Sequence, residues 1–149
     1  MFRKSCYNSS MHNSPKVSID ILVLNENKIL LGLLKPEWSV NNQQVYGVPG
    51  RDIFFRETIG ECVKRNIKEE LDCKVNSYKV ISVNANYELG NHYIGIGVLA
   101  DITGNIKLMK PEDWESWKWF DFDHLPGNLF AAAKNLIESY QKKQITVSE

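Results

Sequence analysis

The stretch RETIGECVKRNIKEELDC, residues 56–73, decides how the rest of the chain is read. Ile59, Cys62, Val63, Ile67 and Leu71 recur at helical steps and form one apolar stripe. The other side carries Glu57, Glu61, Lys64, Arg65, Lys68, Glu69 and Glu70. The spacing predicts an amphipathic helix. Glu57, Glu61 and Glu69 recur at multiples of four and lie along one side, with Glu70 about 100° further round. A face that mixes Glu with Lys and Arg is ordinarily solvated and laced with i,i+4 pairs. Closely spaced carboxylates also suit a hard divalent cation, which takes carboxylate and phosphate oxygens and keeps some waters. The preceding loop, Gly47-Val48-Pro49-Gly50, can present backbone groups to the same ion and phosphates.

Outward from the helix the chain is rich in strands. Val17 to Leu24 (VSIDILVL) reads as a central strand, Asn25-Glu26-Asn27 as a turn and Lys28 to Leu34 (KILLGLL) as the returning strand. Val45 to Val48 is a further short strand. Between Val75 and Thr103 two β-rich runs flank Gly90-Asn91, a hairpin signal. Trp117 to Phe122 reads as another strand. Leu129, Phe130, Ala133, Leu136, Ile137 and Tyr140 form the stripe of a second helix. Strands, helix, strands, helix predict an α/β fold with a mixed β-sheet sandwiched between helices. Residues 1–14 read as a loose, flexible N-terminal arm and 15–149 as one domain.

Lys and Arg total 18 and Asp and Glu total 18, so the chain lacks the basic excess of proteins that hold a nucleic acid polymer by its phosphates. No apolar run approaches the ~18 residues that cross a bilayer. Cys6, Cys62 and Cys73 are odd in number and form no C-x-x-C, which argues against a disulfide framework and favours a reducing, cytoplasmic setting.

The register of the helix segment resembles the Nudix hydrolase box, G-x5-E-x7-R-E-U-x-E-E-x-G-U, where U is a bulky aliphatic. Glu57, Arg65, Ile67, Glu69 and Glu70 fall on its positions without a gap, and Pro49-Gly50 stands where the family commonly has Pro-Gly-Gly. KILLG, NHYIGIGVLADI and KPEDWESWKWFDFDHLP are similar to the flanking strands and loop of members related to MutT and the eukaryotic 8-oxo-dGTP hydrolases. The resemblance covers about residues 16–141. It implies a Nudix-type α/β/α fold and hydrolysis of a nucleoside diphosphate linked to another group, with Mg²⁺ or Mn²⁺. Glu69 and Glu70 would be metal ligands, Glu57 a third or supporting ligand, and Arg65 a catalytic-site residue that orients them. Gly50 and Arg51 would meet the phosphates. The expected partner is a nucleotide or nucleotide sugar, and a homodimer is admitted.

Three departures qualify the match. The box's first Gly is Arg51, its last Gly is Asp72, and the Glu expected after Arg65 is Asn66. In many relatives that Glu ligates metal or serves as general base; an amide cannot take the proton at neutral pH, though its carbonyl oxygen can still ligate weakly or orient a water. Asn66 is therefore expected to limit the rate, and Glu112, Glu115, His92 and His124 are the candidates for a replacement base. Arg51 is expected to face the site, with a strained backbone if it keeps a glycine's positive φ. Trp38, with Phe54 and Phe55 as further candidates, could stack a nucleobase; Trp114, Trp117 and Trp119 read as core. Two other functions share the same residues. One is a nucleotide-sugar hydrolase of the GDP-mannose mannosyl hydrolase type, which also departs at the Glu after the Arg. The other is a nucleotide-binding module whose catalysis has decayed.

Overall fold

The computed structural model describes residues 14–87 and 90–143, so the expected arm falls, apart from Ser14, outside the described residues. Among the described residues, six strands and two α-helices follow the order the sequence predicts: β1 (Lys16–Asn25), β2 (Lys28–Leu34), β3 (Tyr46–Gly47), α1 (Ile59–Leu71), β4 (Lys74–Asn86), β5 (Tyr93–Thr103), β6 (Trp114–Asp121) and α2 (Ala131–Lys142). The sheet runs β3-β2-β1-β5-β4, with β6 also on β2. β1 and β5 are parallel and the remaining pairs antiparallel, so the sheet is mixed.

The two faces of β1 bury different helices because side chains alternate along a strand. Ile19, Ile21 and Val23 pack with Cys62, Val63, Ile67 and Leu71 of α1. Leu22 packs with Ala133, Leu136 and Ile137 of α2. The α1 stripe is thus the one its sequence spacing defines. Thr58 caps the helix: its side chain accepts from Glu61 N, and Glu61 reaches back to Thr58 N. Glu61 is therefore an N-terminal cap, apart from the other helix carboxylates. At the far end Asp72 takes φ 55°, the left-handed conformation for which the family uses Gly. A short Asp tolerates it, and here Asp72 pairs with Lys68 and Lys107.

Two local features set up the site. β1 and β2 pair only at their turn end, through Leu24–Ile29 and Asn25–Lys28. Into the opening beyond, residues 49–53 dock on β1 like an extra strand: Ile19 N donates to Arg51 O, Ile21 N to Pro49 O and Ile53 N to Val17 O. Arg51 is consequently extended. The positive φ, 138°, belongs to Gly50, so the expected backbone strain at Arg51 is absent. The second feature is a register shift between β2 and β6 at Leu33/Leu34. It puts Trp114 and Trp117, three residues apart, on the same side with ring centroids 4.3 Å apart.

Candidate active site

Of the carboxylates in and before α1, Glu70 meets the docked 49–53 segment, and the others do not converge with it on one point. Glu57 lies before the helix and is clamped by Arg65: Nε donates to Oε1 at 2.6 Å and a terminal nitrogen to Oε2 at 2.9 Å. Phe54 N also donates to Glu57. The Arg65 hydrogen bond holds the Glu57 carboxyl down at about 2. The same guanidinium donates to Asp52 O and lies 3.7 Å above the Phe54 ring. Arg65 therefore ties the loop before the helix to the helix itself. It also approaches Glu69 at 3.5 Å, as does Lys110. Glu69 keeps 42% of its side-chain exposure; Glu61 is exposed as well but is engaged in the N-terminal capping box.

Glu70 is the opposite case. It is fully buried, with Oε2 accepting from Gly50 N at 3.3 Å and Oε1 from Arg51 Nε at 3.1 Å. Burial pushes its carboxyl up, and Arg51 and Gly50 N pull it back. The Arg51 guanidinium also pairs with Asp113. Arg51 thus joins α1 to the loop before β6.

Asn66 is fully buried, with Nδ2 donating to Cys62 O at 2.8 Å and lying 3.2 Å from Cys62 Sγ; its Oδ1 has no partner. It faces the helix–sheet core. Glu112 and Glu115 are exposed, and Glu115 approaches Lys35 at 3.9 Å. The loop instead delivers Asp113 and Lys110, which the sequence reading passed over. The loop runs along the C-terminal end of α1, with Lys107 N donating to Leu71 O and Met109 N to Glu70 O. Trp38 is half-buried against Leu34, Val45, Tyr93, Trp114 and Phe130, so its position is a packing one. Phe55 is 95% exposed. His92 stacks on Tyr87, and His124 is exposed in a 3-10 turn after β6.

A second polar group lies on the α2 side of the sheet. Ser18 Oγ, Asp20 Oδ1, Asp52 Oδ1 and Ser82 Oγ are buried without a hydrogen-bond partner. A Cβ on Gly95 would stand 2.6 Å from Asp20 Oδ2 and 3.0 Å from Asn86 Nδ2, so glycine there leaves room for the Asp20 carboxyl. Asn135 of α2 donates to Asn86. Burial, then the charge of Asp52, raises Asp20 to about 7. The sequence signal was one acid inside the apolar run VSIDILVL.

The fold and box register define a class of nucleotide-processing α/β/α hydrolases, and the comparisons agree. The sequence model of the NUDIX domain matches residues 14–141. An ADP-ribose pyrophosphatase of Methanocaldococcus jannaschii is 31% identical over 132 residues, covering 86% of this chain and 74% of the relative. The chain belongs to the Nudix family. A MutT NUDIX hydrolase of Burkholderia pseudomallei superposes with TM-score 0.76 at 25% identity, over 85% of this chain and 98% of that one. An ADP-ribose pyrophosphatase of Streptococcus suis shares the fold, with TM-score 0.60 at 19% identity over 90% and 98% of the two chains.

Nudix hydrolases as a class use divalent metals. The donor set here does not fit such an ion as arranged. Among the described residues no three His, Cys, Asp or Glu side chains gather to hold a metal. Glu57 is bonded to Arg65 and Phe54 N, Glu70 to Arg51 and Gly50 N, and Asn66 is turned into the core.

Proposed function

We propose that the chain hydrolyses the phosphoanhydride of a nucleoside diphosphate linked to a second group, with ADP-ribose as the first substrate to test. The observation that carries this reading is the gathering of Arg51, Arg65 and Lys110 around Glu69 and Glu70 beside Gly50. A bridged diphosphate is a compact anion, and guanidinium and ammonium donors neutralise the charge that develops on its oxygens. The Nudix family and the ADP-ribose pyrophosphatase relative support the same substrate class. Water attacks phosphorus, a new P–O bond forms and the bridging P–O bond breaks. The proton passes to Glu69, a solvent-exposed carboxylate beside Arg65 and Lys110. Arg65 holds Glu57 and the entry loop in place and stands beside Glu69. Asn66 has no part in the proton transfer, since an amide takes no proton at neutral pH.

The test is a panel of nucleoside triphosphates, dinucleotides and nucleotide sugars, ADP-ribose among them. It is run with Mg²⁺, with Mn²⁺ and with a chelator, and read by product mass. AMP and ribose 5-phosphate are expected from ADP-ribose. ADP with free ribose, or no turnover of any member, refutes the proposal.

A further inference from the structure

We infer that Arg51 is the resident cation of this site: its guanidinium takes the place a divalent ion would need beside Glu70 and Asp113, so that the two exclude each other. Glu70 is fully buried, and a buried carboxylate without a counter-charge is strongly unfavourable. Here the counter-charge is part of the chain. Arg51 Nε donates to Glu70 Oε1 at 3.1 Å, and a terminal nitrogen of the same guanidinium pairs with Asp113. The second Glu70 oxygen is taken by Gly50 N at 3.3 Å.

The position of the guanidinium is built in. Arg51 O accepts from Ile19 N, which fixes the segment's register on β1. Side chains alternate along an extended segment. Arg51 therefore points to α1, while Asp52, opposite Ser18, points to the α2 side. A divalent ion placed on Glu70 would meet a cation at contact distance in a poorly solvated site, where like charges repel strongly. Nor is there a compensating anionic ligand at the next position, because the residue after Arg65 is the neutral Asn66, whose buried Oδ1 carries no charge to offset the guanidinium. This inference stands apart from the proposed hydrolysis, because its test contains no nucleotide.

The experiment titrates Mn²⁺ into the full chain and reads the free ion by electron paramagnetic resonance. It compares the parent, Arg51→Gly, Glu70→Gln and the Arg51→Gly/Glu70→Gln double variant. The parent is expected to leave Mn²⁺ free where Arg51→Gly binds one equivalent. The gain in affinity is on the order of 10–100-fold, the scale by which groups bordering a metal tune it. The double variant should lose that gain. Tight binding of one Mn²⁺ by the parent that Glu70→Gln abolishes overturns the inference. So does a folded Arg51→Gly protein that gains nothing. Should Arg51→Gly fail to fold, the parent and Glu70→Gln titrations decide alone. Mn²⁺ left free by the parent supports the inference, and Glu70-dependent binding refutes it.

Discussion

Replacing Asp20 by Asn should make the protein more stable, and increasingly so as the pH rises. Asp20 sits on β1, 3% exposed, with Oδ1 unpartnered and no cation beside it among the contacts that shift it. Its carboxyl is raised from 3.8 to about 7, chiefly by burial and then by the charge of Asp52. An acid raised on folding keeps its proton in the native state at a pH where the unfolded chain has lost it. Its contribution to stability is whole below pH 3.8 and is lost as the pH climbs through about 7. Between about pH 5.5 and about pH 8.5 only the ~1.5 units below 7 count, and at about 1.4 kcal/mol per unit the loss is about 2 kcal/mol. Asn has nearly the same shape and does not ionise. Urea unfolding of parent and variant at both pH values cancels the titrating groups common to both proteins and reads Asp20 together with its coupling to Asp52. The advantage of Asp20→Asn should grow by about 2 kcal/mol from the lower pH to the higher. An advantage that stays constant would mean that the carboxylate is already charged and solvated at the lower pH, and the burial argument would fail.

Gly32→Ala should destabilise the fold by about 1–3 kcal/mol, the usual range for overpacking. A Cβ there would stand 2.5 Å from Trp114 and 2.7 Å from Trp117, and thermal unfolding with tryptophan fluorescence reads the effect. An unchanged midpoint would show that the two indoles can part freely. Glu57→Gln should cost about 1–3 kcal/mol by breaking the charge-assisted clamp on Arg65. The Glu57 carboxyl is depressed from 4.5 to about 2, so its contribution is whole above pH 4.5 and is lost as the pH falls toward 2. The gap between parent and Glu57→Gln, measured by denaturant unfolding, should therefore close over that acid window. A gap independent of pH would assign the loss to packing.

Much of this molecule is readable from local pattern. The α1 stripe, the β1–β2 turn and the second helix each rest on residues a few positions apart, and the strand and helix order follows from their periods. The family register was also legible, because Glu57, Arg65, Glu69 and Glu70 are fixed by spacing along a single segment. The Glu57–Arg65 clamp is nearly as local, at eight residues' separation.

How those residues are partnered depends on contacts that spacing cannot see. Arg51 reaches Glu70 across 19 residues and Asp113 across 62, and both depend on how residues 49–53 dock in the gap between β1 and β2. Asp113, rather than the neighbouring Glu112 or Glu115, enters the site because the loop is pinned along the end of α1 before Trp114 turns into the core. Asn66 sits on the helix where a catalytic Glu is expected, but it is fully buried one turn before Glu70, with its amide nitrogen on Cys62 O and its Oδ1 unpartnered. Sequence by itself determined which elements form, because hydrophobic period and capping act within one or two turns of chain. The tertiary structure decided which charges meet, because a buried carboxylate such as Glu70 takes its counter-charge from whichever segment the packed sheet brings beside it.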